Sequence, residues 1–189
     1  MRARIAIFAS GDGSNFEAIV SACRSGRLAA DAVLMVTDRP AAPVVARAGR
    51  GGVGAFAVSA RDYASKADYE ARIVSLLDER HIDLVCLAGY MRILSSTLLD
   101  AWEGRIVNIH PSLLPAFRGA DAIGQAMAAG VKVYGVTVHF VTGEVDGGRI
   151  IAQRAVHYEG SDREELTAMI HAVEHELYPE AIGRLLGNE

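Results

Sequence analysis

The stretch Ala3–Gly26, ARIAIFASGDGSNFEAIVSACRSG, decides the fold because its hydrophobic pattern changes from that of a strand to that of a helix. Its opening, ARIAIFA, is a short apolar run that is typical of a buried strand. The run SNFEAIVSACRSG has the apolar spacing of a helix, and Gly26 stands where such a helix ends. The chain therefore opens with a strand, a glycine-containing loop and a helix, which together begin a βαβ unit.

The same alternation continues along the chain. Strands are predicted at AVLMVT, GAFAV, DLVCLA and RIVNI, and helices at APVVARAGRGG, SKADYEARIVSLLDER and SSTLLDAW. Short apolar strands that alternate with helices predict a parallel sheet covered on both faces. A helix around Ala122–Ala129 follows, and a final helix is expected over roughly Arg163–Leu186, kinked or split at Pro179.

Two strand-like runs near the end of the chain differ from the rest. VYGVTVHFV and GRIIAQRAVHY are separated only by TGEVDGG, with no helix between them, so they should pair antiparallel at one edge of the sheet. The predicted fold is a three-layer α/β domain with a mostly parallel twisted sheet, helices on both faces and an antiparallel edge, of Rossmann-like type. We expect residues 1–189 to form a single domain.

Composition narrows the class of partner. The net charge is −4, the pI is about 5.9, and no long run of like charges occurs, which disfavours a nucleic-acid surface. The apolar run at the start is too short for a signal peptide, and no segment resembles a membrane span, so a cytoplasmic protein is expected. Cys23 and Cys86 are predicted to be reduced core residues. Small-molecule substrates are the expected partners of a monomer or homodimer, without nucleic acid or membrane.

The loop SGDGSN between the first strand and helix is a candidate anion site. Gly11 and Gly13 allow the backbone to approach a ligand, and the helix start offers free N–H groups to a phosphate. Phe16 replaces the third glycine of a dinucleotide fingerprint, and no GK[ST] follows as in a P-loop. The alternative is an ordinary turn in which Ser14 or Asn15 caps the helix.

Polar residues follow later strands in the same way. In VNIHPSLLPAFRG, Asn108 and His110 project from one side of a strand that proline ends, which indicates either a functional pair or hydrogen-bonded structural residues. Asp146 precedes two glycines, which is ordinary turn chemistry unless the fold places it near His110. AGYMRILS can be a plain strand-to-helix turn with Ser95 as the N-cap.

The last predicted helix contains HAVEH, which has the H-x-x-E-H form of a zinc peptidase motif. His171 and His175 share a helix face, and Glu174 could act as a base. A third ligand is not evident in the sequence, so a solvated helix face is the competing interpretation.

Five motifs, taken together and in order, carry a resemblance over nearly the whole chain. They are SGDGSN, LAGYMRILS, VNIHPSLLPAFRG, GVTVHFVTGEVDGGRIIAQ and VEHELYP. In these the chain resembles the phosphoribosylglycinamide formyltransferases, folate-dependent enzymes of purine synthesis. The resemblance implies the formyltransferase fold and transfer of the formyl group of 10-formyltetrahydrofolate, as co-substrate, to the glycinamide amine.

The resemblance also implies roles for particular residues. Asn108, His110 and Asp146 would be catalytic, and Glu174 would bind the ribose hydroxyls. The substrate phosphate would bind Gly13, Ser14 and Asn15. The folate would contact Lys66, Met91, Arg92, Ile93, Leu94, Asn108 and the backbone from Val141 to Asp146. Related enzymes suggest a cis Leu114–Pro115 bond, and several carry histidine where this chain has Ile123.

This assignment gives the NIH motif a chemical purpose. Formyl transfer passes through a tetrahedral intermediate, whose oxyanion needs donors that are fixed before the reaction. The Asn108 amide and an imidazolium at His110 would supply them, while Asp146 keeps His110 charged and assists proton transfer. No metal is required by this chemistry.

Other functions stay open at this point. Methionyl-tRNA formyltransferase shares an SLLP loop, but the chain lacks a basic face for tRNA and an added C-terminal domain. A phosphometabolite-binding module without catalysis leaves the Asn-x-His pair unexplained, and a dinucleotide-dependent oxidoreductase conflicts with the missing third glycine.

Overall fold

The computed structural model describes residues 2–187, which are built around one seven-stranded β-sheet. The strand order is β3-β2-β1-β4-β5-β6-β7, with the first five strands parallel and β6 and β7 each antiparallel to the strand before. The predicted mostly parallel sheet with an antiparallel edge is therefore confirmed. The strands are β1 (Ala3–Phe8), β2 (Ala30–Thr37), β3 (Gly54–Ala57), β4 (Leu84–Leu87), β5 (Ile106–His110), β6 (Val133–Phe140) and β7 (Ile150–His157).

In the described part of the chain, six α-helices cover the sheet, and a short 3₁₀ turn at Ala60–Asp62 was not predicted. None of these helices, within residues 2–187, is long and apolar enough to cross a membrane. The helices are α1 (Ser14–Ser25), α2 (Pro43–Arg50), α3 (Lys66–Glu79), α4 (Ser96–Ala101), α5 (Ala122–Ala128) and α6 (Arg163–Leu185).

Helix α6 runs through Pro179 as one helix, so the predicted alternative of two helices is wrong. A proline inside a helix costs about 3 kcal/mol because it removes one hydrogen bond and crowds the preceding turn. Here Pro179 is buried, with Tyr178 before it and Ala181 after it. The hydroxyl of Tyr178 lies 2.9 Å from the Leu87 carbonyl oxygen and 3.1 Å from that of Val107. This packing against the sheet offsets the local cost.

The core forms two layers because successive side chains of a strand point to opposite faces. In β1, Ile5 and Ile7 pack in a cluster with residues of α1, α2, α5 and α6, while Ala6 and Phe8 pack with residues of α3 and α4. Both cysteines are free and buried, as predicted. The sheet is thus the middle of three layers.

The strand order reverses between β1 and β4, and ligands of open α/β sheets bind at such a point, beyond the carboxyl ends of the strands. The loops that follow these two strands are in contact there. The amide of Ser10 donates to the Gly89 carbonyl oxygen over 3.0 Å, and the amide of Met91 donates to the Ser10 hydroxyl over 2.9 Å. The SGDGSN and AGYMRILS loops therefore form adjacent walls of one crevice.

Candidate active site

The loop before α1 leaves the start of the helix uncapped by any side chain. Gly13, not Ser14 or Asn15, occupies the N-cap position, with φ of 84° and no side-chain cap bond, so the capping alternative is wrong. Gly13 is buried against α2, and a Cβ atom there would lie 2.5 Å from Cγ2 of Val44. The N–H groups of the first turn are therefore available to an anion.

Asn15 connects this loop to α6. Its amide nitrogen donates to Oε2 of Glu174 over 2.8 Å, although the two residues are far apart in sequence. The other amide atom, Oδ1, is buried and has no hydrogen-bond partner within the described chain. A buried acceptor without a partner is costly, which marks this position as one where a ligand donor fits.

Glu174 is 5% exposed and is hydrogen-bonded to Asn15 of the SGDGSN loop. Burial raises the pKa of its carboxyl above the ordinary value, and the Asn15 hydrogen bond, His171 and His110 lower it by smaller amounts. The charge interaction with His110 indicates that Glu174 lies within electrostatic reach of the end of β5. Glu174 thus joins the two parts of the crevice.

At the end of β5, Asn108 and His110 lie two residues apart on one face of the strand. Nε2 of His110 lies 2.9 Å from the Phe117 carbonyl oxygen, so this nitrogen carries a hydrogen and donates it to the loop that follows. That loop contains the cis bond between Leu114 and Pro115, as expected from the related enzymes.

Asp146 is brought to the same place by the turn between β6 and β7. Its backbone has φ of 51°, in the left-handed region, and its Oδ2 accepts from the Gly119 amide over 2.8 Å. The same oxygen lies 3.5 Å from Nδ1 of His110, while Oδ1 lies 3.5 Å from Nε2 of His139. The fold therefore places Asp146 near His110. From the sequence, a functional interpretation of Asp146 depended on this proximity, which could not be predicted.

His139 belongs to this cluster and was missed by the sequence interpretation. Its Nδ1 lies 2.8 Å from its neighbour's carbonyl oxygen at Phe140, and its Nε2 lies 3.2 Å from the amide nitrogen of Asn108. Burial lowers the pKa of His139, although the Phe140 hydrogen bond and Asp146 act in the opposite direction. A neutral ring then donates from Nδ1 and accepts at Nε2, which turns the Asn108 NH₂ group toward His139. The one available signal was the antiparallel pairing of β5 and β6, which sets Asn108 opposite His139.

The loop after β4 presents apolar side chains to solvent. Met91 is 66% exposed and Ile93 is 69% exposed, whereas Leu94 is buried. The guanidinium of Arg92 lies over the ring of Tyr69, 5.6 Å from its centroid. Exposed apolar groups at the mouth of a crevice suit a flat aromatic ligand.

The remaining residues expected near a folate are spread around this loop. Nζ of Lys66 lies 3.9 Å from Oε1 of Glu70 at the start of α3. Val141 is half-buried and donates its amide to the Ile106 carbonyl oxygen over 2.9 Å. Ile123 is buried in the core cluster that contains α1 and α6, so the position where several relatives have histidine is apolar packing here.

The HAVEH segment shows no metal-binding arrangement within residues 2–187. The rings of His171 and His175 stack with centroids 6.2 Å apart, and Glu174 between them bonds to Asn15. No group of three or more potential ligands in the described part of the chain is placed to hold a metal ion. The motif is therefore divided between a helix surface and the crevice.

The chain is similar to known enzymes over almost its full length. It is 48% identical over 185 residues to phosphoribosylglycinamide formyltransferase of Bacillus subtilis, covering 97% of this chain and 95% of that one. It is 38% identical over 182 residues to the human trifunctional purine biosynthetic protein adenosine-3, of which the match covers only 18%. The crystal structure of glycinamide ribonucleotide transformylase 1 from Geobacillus kaustophilus has a TM-score of 0.96 and 55% identity, covering 99% of this chain and 100% of that chain.

The sequence profile described as formyl transferase matches residues 3–182, which span every strand and nearly all of α6. This match includes the SGDGSN loop, the end of β5 and the turn that carries Asp146. The chain belongs to the formyl transferase family.

Proposed function

We propose that this protein is a phosphoribosylglycinamide formyltransferase of purine biosynthesis. It transfers the formyl group of 10-formyltetrahydrofolate to the glycinamide amine of 5'-phosphoribosylglycinamide. The similar enzymes of Bacillus subtilis and Geobacillus kaustophilus support the reaction class. The observation that carries the proposal is the position of Asp146, with one carboxylate oxygen 3.5 Å from His110 and the other 3.5 Å from His139.

The reaction needs a stabilised oxyanion. The amine nitrogen attacks the formyl carbon and a C–N bond forms, while the carbonyl oxygen becomes negative in the tetrahedral intermediate. One hydrogen of the Asn108 NH₂ group is used by His139, and the second is free to donate to this oxygen. Because His139 fixes the amide before substrate arrives, the donor needs no reorganisation during the reaction.

His110 supports the same charge from the neighbouring strand position. Its Nε2–H is held by the Phe117 carbonyl oxygen, so direct donation to the oxyanion requires exchange of that hydrogen bond. Its Nδ1 faces Asp146, and a proton on this nitrogen makes the ring an imidazolium beside the reacting centre. A positive ring in a water-poor site stabilises the intermediate through its charge in either arrangement.

Asp146 completes the proton balance. The attacking amine loses a proton as the tetrahedral intermediate forms, and the folate N10 gains one as its bond to the formyl carbon breaks. A carboxylate beside His110 relays this proton directly or through water. The products are the formylated glycinamide and tetrahydrofolate, and no redox step or metal ion is needed.

The substrate-binding roles follow from the rest of the crevice. We assign the phosphate to the N–H groups of Gly13, Ser14 and Asn15 at the uncapped start of α1. Glu174, buried beside Asn15, accepts from the ribose hydroxyls. The folate lies against Met91–Leu94, Val141 and Lys66, where apolar groups are exposed and a cation is available for its carboxylates.

The test is a formyl-transfer assay with purified protein. We expect release of tetrahydrofolate to match the formation of formylated ribonucleotide in a one-to-one ratio, measured by absorbance and mass spectrometry. Water, glycinamide ribonucleotide and methionyl-tRNA should be compared as acceptors. Transfer to either of the other two in preference to the ribonucleotide, or no transfer at all, would refute the proposal.

We also propose that the reaction needs no metal ion, that the protein is a monomer or homodimer, and that it is cytoplasmic. Dialysis against a chelator should leave the activity unchanged, because the donors come from Asn108 and His110. A loss of activity that zinc restores would overturn the metal-free reaction. Size-exclusion chromatography tests the monomer or homodimer, and cell fractionation tests the cytoplasmic location.

A further inference from the structure

Glu70 is a buried carboxylate that the proposed reaction does not use. It lies on α3 and is 2% exposed. The amide of Ser95 points at both of its oxygens, at 3.0 Å from Oε1 and 3.1 Å from Oε2, and the Ser95 hydroxyl also donates to Oε2. A buried carboxylate is costly unless it is well hydrogen-bonded. The three contacts with Ser95 supply those hydrogen bonds, and the burial of Glu70 itself needs a reason.

The Ser95 contacts replace an ordinary helix cap. Ser95 is the N-cap residue of α4, but its side chain makes no cap bond because its hydroxyl is directed at Glu70. Serine at this position normally accepts from the first turn of its own helix, which stabilises the helix by about 1 kcal/mol. Here that interaction is exchanged for a tie between α3 and the end of the β4–α4 loop.

The β4–α4 loop is thereby held at both ends. At its start, the Met91 amide donates to the Ser10 hydroxyl over 2.9 Å, and at its end the Ser95 amide donates to Glu70. Between these anchors, Met91 and Ile93 remain exposed. A loop without such anchors would bury apolar side chains of this size against the nearest core.

Glu70 also faces Lys66, the cation assigned to the folate carboxylates. Its Oε1 lies 3.9 Å from Nζ of Lys66, one helical turn earlier on α3, and the Lys66 side chain is 40% exposed. The carboxylate thus contacts both the end of the apolar loop and the neighbouring cation.

We propose that Glu70 is a positioning residue for the formyl donor: it fixes the β4–α4 loop and Lys66 in the arrangement that binds the folate. This inference rests on the proposed function. Glu70 acts through Ser95 and Lys66, at the end of the β4–α4 loop away from its contact with Ser10. Asn15 and Glu174 form a further tie between the SGDGSN loop and α6. The effect of Glu70 should therefore fall mainly on the folate.

The experiment compares Glu70→Ala and Glu70→Gln with a matched control on the same helix, Arg72→Ala, which breaks an exposed ion pair with Glu79. Small displacements of binding groups have large kinetic effects, so we expect Glu70→Ala to raise KM for 10-formyltetrahydrofolate by about tenfold. KM for the ribonucleotide should stay within about twofold, because its site is built elsewhere. Glu70→Gln keeps an acceptor for the Ser95 amide and should have an intermediate KM.

Amide hydrogen exchange gives a readout that does not depend on activity. The Ser95 amide should exchange faster in Glu70→Ala than in the wild type or Arg72→Ala, together with the neighbouring amides of the loop. If Glu70→Ala does not fold, Glu70→Gln gives the comparison of the two KM values. Ser95→Ala removes only the hydroxyl contact with Glu70 and keeps the backbone donor.

Two results would overturn the inference: equal changes in both KM values in a folded Glu70 variant, or unchanged exchange at Ser95 in folded Glu70→Ala. A merely structural role predicts lower stability with the ratio of the two KM values unchanged. If the wild-type protein transfers no formyl group, the proposed function fails, whereas faster exchange at Ser95 would still show that Glu70 anchors the loop.

Discussion

Nδ1 of His110 lies 3.5 Å from Oδ2 of Asp146, although the first residue ends a central strand and the second lies in a turn beyond the next strand. The pairing of β5 with β6 brings the two elements together, and two local features then fix the distance. The Gly119 amide holds Oδ2, and the left-handed backbone at Asp146 aims its side chain into the crevice. A strained non-glycine residue at such a place agrees with a functional demand on its position.

Replacing Asp146 by asparagine should lower kcat by about 10²- to 10⁴-fold, because the amide keeps the shape but cannot relay a proton or balance an imidazolium. KM values should change little. A pH profile of kcat for the variant should also differ in shape from that of the wild type.

The same pair gives a test of cooperation. If His110 and Asp146 act as a unit, combining His110→Ala with Asp146→Asn should cost much less than the product of the single losses. Strict multiplicativity of the losses would show that the two side chains act independently and would remove the coupling on which the proton relay depends.

Replacing Gly13 by alanine should weaken ribonucleotide binding and lower the melting temperature. A residue with a side chain at φ of 84° pays about 1–2 kcal/mol, and the added Cβ would meet Cγ2 of Val44 at 2.5 Å. Gly11→Ala is the matched control, since nothing lies within 4 Å of a Cβ placed there.

A second substitution separates crowding from backbone strain. Val44→Ala, combined with Gly13→Ala, removes the contact with Cγ2 but leaves Cβ of residue 44 at 2.8 Å and the left-handed backbone at residue 13, so it should restore only part of the stability. KM for the ribonucleotide should rise several-fold in Gly13→Ala and stay near the wild-type value in Gly11→Ala. Unchanged ribonucleotide binding in a folded Gly13 variant would place the phosphate elsewhere.

The sheet was predictable because its signals are local. Each strand is a short apolar run that ends at glycine, proline or polar residues, and the lack of a helix between the last two runs indicated the antiparallel edge. Of the two outcomes expected at Pro179, a kink or a split, the split was wrong because the burial of α6 against the sheet outweighs a local helix breaker. Residue-level propensity cannot include that tertiary term.

Parts of the site could not be predicted because they depend on pairing across the fold. His139 looks like one polar residue in an apolar strand until the β5–β6 register sets it opposite Asn108. Glu70 follows Lys66 by four residues, which is the spacing of an exposed helical ion pair, yet its carboxylate is buried against Ser95. The role proposed for Glu70 could not be predicted, because no local sequence pattern shows that a helix face is buried against a distant loop.

Replacing Glu174 by glutamine should stabilise the protein at neutral pH while weakening ribonucleotide binding. The pKa of Glu174 is raised, mainly by burial, so the folded state binds a proton more tightly than the unfolded state. Its favourable contribution is complete below the unfolded pKa of about 4.5 and is lost as the pH rises through the folded value. Glutamine avoids the cost of a buried charge and still accepts from Asn15.

Denaturant unfolding at several pH values measures this effect. The variant should be more stable than the wild type at pH 7 to 8, and the difference should shrink as the pH approaches about 4.5. At pH 7 to 8, KM for the ribonucleotide should be higher in the variant than in the wild type. A variant that is less stable at neutral pH would contradict the assignment of burial as the dominant cause.

Replacing His139 by glutamine should affect stability with the opposite pH dependence to Glu174→Gln: the difference from the wild type should grow as the pH falls. Burial lowers the pKa of His139 below the ordinary value of 6.5, so its contribution to stability is present above that pH and is lost as the pH falls through the folded value. Protonation at Nε2 would turn the acceptor of the Asn108 amide into a second donor, which breaks the hydrogen bond. Glutamine retains a neutral acceptor throughout, so the free energy of unfolding of the wild type relative to the variant should fall as the pH drops below about 6.5.

The value of kcat should follow the same trend, because a displaced Asn108 amide no longer points at the oxyanion. His139→Leu, which has no acceptor at any pH, is the control and should lower kcat uniformly with little change in KM. Parallel stability curves for wild type and His139→Gln between pH 5 and 8 would show that the histidine does not set the orientation of Asn108.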